Sequence, residues 1–373
     1  MHIGLMIYDT LDTISGGYLY DRMIVEHLRK RGNTVEIISF PRRNYFSHLA
    51  DNVSHTLSHD IQRRGVDILL QDELNHPSLF LINRRLQQEA RFPIISIVHH
   101  LRGSETHPAL LQTMYRLVEK QYLNTVDGFI FNSEATRKAV HENLQKLRPS
   151  IIAYPGCDHI YPSVTRDEIV RRCLEPGPLR ILFTGSVIPR KGLHMLIDAL
   201  AGLPHRNWRL TVAGSVAADA RYTRHIRKKI AATRLSDNIK LLGTVPPDDL
   251  VTLWERHHCL AIPSFYEGFG IAYLEALGFG QPVIASSAGG APEIIRNGRE
   301  GFLVSPGNIN ALALCIDKLA EDRSLLLDMS LAALRRYCAH QTWGNTAALV
   351  DDFLCSMIVL KINPSSGTLP VSF

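Results

Sequence analysis

The sequence has few of the residues that mark secreted scaffolds or metal proteins. Six cysteines in 373 residues, at 157, 173, 259, 315, 338 and 355, contain no C-x-x-C pair. Neither a disulfide framework nor a zinc pattern is written there, and reduced thiols in a cytosolic protein are the expectation. No apolar run approaches the roughly 18 residues that a membrane span requires; the nearest, Phe353 to Leu360, is far too short. The opening MHIGLMIYDT has no basic segment before its apolar run, which ends at Asp9, so no secretory leader is expected. No G-x-G-x-x-G follows the first apolar run, which argues against a dinucleotide oxidoreductase. No two aspartates are two positions apart, so the metal-holding Asp-x-Asp pair is missing. Charge of one sign is not in large excess either. With 41 Lys and Arg against 36 Asp and Glu, the net charge is +5. That is too little to argue for nucleic acid, and it suits a protein that handles an anionic ligand or visits an anionic membrane surface.

What is present is ordinary globular material, 45% hydrophobic and 21% charged, and enough for two domains. Short apolar runs alternate with helical patterns throughout. Runs at 3–8, 35–40, 67–71, 93–100, 126–133 and 150–155 read as strands, with an amphipathic helix from Tyr18 to Arg31 stopped by Gly32. Ser15-Gly16-Gly17 reads as a flexible turn before that helix. The pattern restarts with strands at 179–185, 208–214, 238–243, 258–264, 282–287 and 301–306 and helices at 192–203 and 271–280. Strands alternating with helices predict an α/β protein with two doubly wound parallel sheets of Rossmann-like type, facing a central cleft. Pro-Gly chemistry between the two series predicts a linker at 161–178. The domains then run 1–160 and 179–341, with an untethered tail at 361–373.

The most informative stretch is 263–293, PSFYEGFGIAYLEALGFGQPVIASSAGGAPE. A strand ends at Ser264, the loop Tyr266-Glu267-Gly268-Phe269-Gly270 follows, and a helix carries Glu275 about one turn in. Glycines let a backbone approach a ligand closely, and the N–H groups at a helix start bind phosphate. Carboxylates accept from paired sugar hydroxyls. The arrangement suits a phosphate flanked by two sugars; a tight strand–helix turn with solvated glutamates is the plain alternative.

Glu267 and Glu275, within EGFGIAYLEA and followed by GQPVIAS and GGAPEII, resemble the Glu-x7-Glu signature of glycosyltransferase family 4, retaining nucleotide-sugar enzymes of the GT-B type. Gly16-Gly17 after the first strand, His99 at a strand end, FTGSVIPRKGLHMLIDAL (183–200), AGS (213–215) and LGTVPPDDL (242–250) agree in order. The resemblance covers about residues 1–340. It implies a GT-B fold, with a C-terminal helix at 342–360 returning to the first domain. It also implies that Glu267 holds donor-sugar hydroxyls and Glu275 the nucleotide ribose, while the backbone of Gly268, Phe269, Gly270 and Ile271 caps the diphosphate. Arg190 and Lys191 would neutralise the departing diphosphate, Val245 would lie near the base, and His99 beside the anomeric carbon. Gly16 and Gly17 would approach the phosphates from the other side. One departure stands out: where the family commonly has Gly-Arg, this chain has Gly185-Ser186.

The expected activity is therefore retaining, metal-independent transfer from a nucleoside-diphosphate sugar, a UDP-sugar favoured, to an unidentified acceptor, with no cofactor. A nucleotide-sugar epimerase and a non-catalytic sugar-nucleotide-binding protein are the alternatives. Other features carry two readings each. Glu73 after a strand is either an acceptor-side group or a surface acid. His55 and His59 at i, i+4 form a metal pair or a solvated helix face, the latter favoured. Arg221, Arg224, Arg227, Lys228 and Lys229 read best as a solvated helix face. Arg42, Arg43, Tyr45 and Phe46 lead a helix with Phe46, Leu49, Val53 and Leu57 on one side. That pattern suits either core packing or peripheral contact with the inner membrane face.

Overall fold

The computed structural model describes residues 1–89, 92–105 and 107–362. The chain divides into two compact units, one of Met1–Gly156 with Gln341–Phe373, the other Cys157–His340.

The first unit is built on six parallel strands: β1 (His2–Tyr8), β2 (Thr34–Phe40), β3 (Ile68–Asp72), β4 (Ile94–Val98), β5 (Gly128–Phe131) and β6 (Ser150–Ile152). Their order is β2-β1-β3-β4-β5-β6. β3, β4 and β5 are buried along their whole length, which is why they read as unbroken apolar runs. Their outward side chains meet Leu79, Ile82, Leu86 and Tyr122 of the covering helices. The helix Trp343–Ile362 packs on the helix Gly16–Lys30 of this unit. There Trp343 lies edge-on to Tyr20, ring centroids 5.5 Å apart, and Asp351 accepts from Arg31 at 2.7 Å.

The second unit repeats the plan with β7 (Leu179–Thr184), β8 (Trp208–Ala213), β9 (Ile239–Gly243), β10 (Cys259–Ile262), β11 (Val283–Ser286) and β12 (Gly301–Val304). All are parallel, in the order β12-β11-β10-β7-β8-β9. In each sheet the order reverses once, between β1 and β3 and between β7 and β10. Loops leaving the carboxyl ends at such a reversal diverge and open a ligand crevice.

The structure departs from the sequence reading in four places. The helix expected from Tyr18 starts at Gly16, because the Ser15 side chain accepts from the Tyr18 N–H and caps it. Gly16 and Gly17 are therefore its first turn, not a flexible approach. The stretch 161–178 contains a helix, Arg166–Leu174, where a linker was expected. Thr165 and Glu168 form a capping box, Ile169 and Cys173 are buried, and the buried Arg172 guanidinium donates to the carbonyls of Glu255, Phe279 and Gly280. Proline and glycine mark its flanks, and they masked it. The amphipathic helix expected after Asn44 is broken into Tyr45–Leu49, a 3-10 turn Ala50–Val53, and His55–Arg63. The buried Asn52 causes the break: it donates to the Pro77 carbonyl and accepts from the Leu81 N–H, and Ser54 caps a new start. Phe46 and Val53 are consequently exposed, 57% and 69%, while Leu57 reaches the core. The fourth concerns Glu73, for which two readings stood open: it is buried, which removes the surface-acid one. Of the tail expected at 361–373, residues from 363 on lie outside the described residues. No described helix is long and apolar enough to cross a membrane. All six cysteines are free thiols.

Candidate functional site

In the second unit, the loops after β7 and β10 bring three charges together. Glu267 Oε1 lies 2.6 Å from Lys191 Nζ and 3.3 Å from an Arg190 guanidinium nitrogen, and accepts from Ser264 Oγ at 2.7 Å. Arg190 also donates to the Tyr266 carbonyl at 2.7 Å. Burial would push the Glu267 carboxyl up, but Lys191 and Arg190 outweigh it and hold it at about 2. Burial lowers the Lys191 ammonium, against the pull of Glu267. Two cations and one carboxylate leave a net positive charge in the loop leading to the helix Ile271–Gly278, whose Gly270 N-cap gives the first turn no side-chain acceptor, while the Tyr273 N–H donates to the Gly270 carbonyl at 2.9 Å. That is a site for an anion with more than one charge.

The loop is braced from behind. The Gly290 N–H donates to the Glu267 carbonyl at 2.9 Å, and a Cβ on Gly289 (φ +71°) would fall 1.9 Å from that same oxygen. The GGAPE segment after β11 thus fixes where Glu267 stands. Gly270 (φ +105°) opens the helix at a backbone angle that side-chain-bearing residues rarely adopt. Ile271 begins the first turn and Phe269 is buried. Glu275 Oε1 takes a hydrogen bond from His159 Nε2 at 2.9 Å. Lys191 also lies along Gly185, where a Cβ would sit 3.5 Å from its Cε, and Ser186 is half-buried beside them. Val245 is half-buried in the loop after β9.

In the first unit, the reversal between β1 and β3 gathers a second set. His99 follows β4 and presents Nε2 at 3.1 Å from Asp21 Oδ1. Asp21 sits one turn after Gly17, and a Cβ at Gly17 would lie 3.0 Å from His99 Cδ2, so glycine there lets the ring rest on the helix. Gly16 is exposed. Asp72 ends β3 and accepts from the Leu74 N–H at 2.9 Å. Glu73, next in the chain, faces His76 (3.0 Å) and Glu119, and the Tyr45 hydroxyl meets His76 Nε2 at 3.0 Å. Burial holds the Glu73 and Glu119 carboxyls up at about 7 and the His76 imidazole down at about 4. Tyr45 therefore turns inward, with the Arg102 guanidinium 5.3 Å from its ring centre.

Among the described residues, two sets place three potential ligand atoms within 4.8 Å: Asp21, Asp72 and His99, and Glu73, His76 and Glu119. The second is already engaged. His76 Nδ1 meets the Glu73 carbonyl, and both Glu119 oxygens accept from the Gly103 N–H. His59 is exposed, and the side chain of His55 lies outside the described residues. Arg221, Arg224, Arg227 and Lys228 are exposed, whereas Lys229 pairs with Asp198 at 2.5 Å.

Sequence reasoning missed Ser264, His159, Asp21 and Asp72. Gly17 and Asp21 are four apart on one helix, a spacing that puts them on one face. His159 lies just before the stretch read as a linker, so nothing singled it out.

Residues 166–336 match the family described as Glycosyl transferases group 1. The chain is 28% identical over 258 residues to a D-inositol 3-phosphate glycosyltransferase of Corynebacterium diphtheriae, covering 66% of this chain and 60% of that protein. It is 31% identical over 180 residues to the protein of the same description from Pseudarthrobacter chlorophenolicus, covering 47% and 42%. The chain thus spans less than two thirds of these relatives. Among solved structures, sucrose-phosphate synthase from Thermosynechococcus elongatus superposes with a TM-score of 0.80 at 20% identity, covering 96% of this chain and 99% of that one. Anabaena HepE in complex with UDP and glucose gives 0.76 at 21%, covering 95% and 99%. At these identities the likeness is one of fold.

Proposed function

We propose that the chain, whose residues 166–336 match the group 1 glycosyl transferase family, is a GT4-like glycosyltransferase that moves a sugar from a UDP-sugar to an acceptor with retention at the anomeric carbon and without a metal ion. The observation that carries this reading is the convergence of Lys191 and Arg190 on Glu267 where the second sheet reverses. Breaking a sugar–phosphate bond builds negative charge on the departing diphosphate. Fixed cations and backbone N–H groups stabilise that charge, often the largest single contribution to catalysis. Lys191 and Arg190 supply the cations, and the first turn from Ile271 supplies the N–H groups. That leaves little work for a metal, in keeping with the missing Asp-x-Asp pair.

Glu267, held ionised, accepts from donor-sugar hydroxyls, Glu275 from the ribose, and Val245 packs on the base. His99 and Glu73 belong to the sugar and acceptor side. HepE, a fold relative, holds UDP and glucose, which supports UDP as the nucleotide. Arg42 and the exposed Phe46 suit contact with an anionic bilayer, and low-salt sedimentation with anionic vesicles tests that.

The deciding experiment is thermal shift with UDP, GDP and UDP-glucose, with and without EDTA. A ligand at 100 times its Kd stabilises the folded state by about 2.7 kcal/mol. UDP compounds are expected to raise the melting temperature regardless of EDTA. A shift with none of them, or one that EDTA abolishes, would overturn the reading.

A further inference from the structure

We propose that Asp21 and Asp72 form a one-proton carboxylate pair that keeps His99 an imidazolium, Asp21 as its ionised partner and Asp72 as the protonated member. The inference deepens the proposed function and rests on the reading of His99 as a group at the reacting centre.

Three elements meet here: the helix Gly16–Lys30, the end of β3 and the end of β4. Asp21 and Asp72 are fully buried, and His99 nearly so. Their ligand atoms lie within 4.8 Å of one another. Asp21 Oδ2 and Asp72 Oδ2 have no hydrogen-bond partner among the described residues. Two ionised carboxylates this close and this dry repel strongly, and one imidazolium cannot neutralise both. One of them must hold a proton, as in other carboxylate dyads.

Geometry says which. Asp21 Oδ1 sits 3.1 Å from His99 Nε2, whereas Asp72 Oδ1 accepts only a neutral backbone N–H from Leu74. Among the described residues, no second cation hydrogen-bonds Asp21 or Asp72. Glu73 follows Asp72, Tyr20 lies edge-on to the ring at 5.2 Å, and Tyr18 and Tyr122 are buried phenols kept neutral. The charge balance agrees. Burial disfavours the His99 cation, but Asp21 above all, with Asp72 and Glu73, raises it to about 9. Burial and Asp21 raise Asp72 to about 8.

The consequence is chemical. With Nε2–H committed to Asp21, Nδ1–H is a permanent donor across the neutral range. His99 can then offer positive charge and a hydrogen bond to a hydroxyl or phosphate oxygen, but it cannot take a proton as a base. Asp21 and Asp72 are positioning residues, acting through His99.

The test follows the His99 ring nitrogens by NMR in histidine-labelled protein across pH 5 to 10.5, its signals identified by their loss in His99→Gln. The wild-type ring is expected to stay protonated past neutrality and titrate near 9. Asp21→Asn keeps the shape and an acceptor but removes the charge, so the midpoint should fall by roughly two pH units or more. Asp72→Asn mimics the protonated acid at neutral pH and removes the charge Asp72 carries above about 8, so it should lower the midpoint, but by less than Asp21→Asn does. The basic limb of kcat/KM for UDP-glucose hydrolysis, water serving as acceptor, should move in the same order, which a purely structural role would not produce. A wild-type midpoint below about 7 overturns the proposal. So does Asp72→Asn moving the midpoint as far as Asp21→Asn, or a stoichiometric divalent metal in the purified protein that Asp21→Asn loses. Should Asp21→Asn not fold, the wild-type titration and Asp72→Asn still decide. If the titrations come out as expected but no UDP-sugar turns over, the proposed function fails and the His99 assignment stands.

Discussion

His159 donates to Glu275 across 116 residues of chain, Nε2 to Oε1 at 2.9 Å. The second glutamate of the Glu-x7-Glu pair is therefore oriented by a residue outside the block that carries the pair. Glu275→Ala should weaken UDP binding by about tenfold, the worth of a charged hydrogen bond to a ribose hydroxyl. His159→Ala should cost less, about threefold, since it removes only the orientation. Titration calorimetry with UDP checks both, and unchanged affinity in Glu275→Ala would remove it from the nucleotide site.

Glu267 stands in a buried ion cluster rather than in a solvent-facing loop, and this changes what its substitutions do. Glu267→Ala strands Lys191 and Arg190 in a largely buried setting. Breaking a buried pair by removing one partner costs about 3–5 kcal/mol, so the melting temperature should drop markedly. Glu267→Gln keeps the acceptor oxygen for Ser264 and Lys191 and should fold better. Its turnover should nonetheless fall roughly 10²-fold or more, because donor hydroxyls lose a charged acceptor. A Gln variant with near-normal turnover would contradict the donor-site assignment.

Arg190 and Lys191 both reach Glu267, and Ser186 stands where the family commonly carries a further cation. Arg190→Ala and Lys191→Ala should weaken UDP binding by comparable factors while leaving uridine binding nearly unchanged. A Ser186→Arg change placed in the Arg190→Ala background should restore part of the loss, because a charged donor is worth roughly twice a neutral one. Arg190→Ala protein that binds UDP as tightly as wild type would show that Lys191 works alone.

The two units should respond to pH in opposite senses above and below neutrality. In the first, His99 is raised to about 9 and Asp72 to about 8. The native unit then holds protons that the unfolded chain has released, at Asp72 from about pH 4 to 8 and at His99 from about 6.5 to 9, so its stability falls as pH rises through these ranges. In the second, burial lowers His257 to about 4 and His258 to about 2. The unfolded chain binds protons there that the native unit refuses, so stability falls as pH drops from 6.5 toward 4. Hydrogen-exchange protection factors for β4 and β10, corrected for intrinsic rates, should decline at pH 9 and at pH 5 respectively. Greater protection of β4 at pH 9 than at pH 7 would refute the first half.

Twelve strands were legible as short apolar runs, most plainly the fully buried β3, β4, β5, β10 and β11, because a parallel strand covered on both faces must be apolar on both faces. That requirement is local, and it survives in any single stretch of sequence. The same holds for Glu267 and Glu275, whose spacing across a loop and one helical turn is set by the chain itself. What the sequence could not decide is which charges meet. Asp21 and His99 stand 78 residues apart and Lys191 and Glu267 76 apart, and each pair is joined only because a sheet reverses its strand order between the strands that carry them. A charge in sequence says nothing about its dielectric or its partner. Glu267 therefore carried a solvated-turn reading beside the sugar-binding one, and Glu73 a surface reading beside the acceptor-side one, until tertiary burial set their neighbours and, with them, their protons.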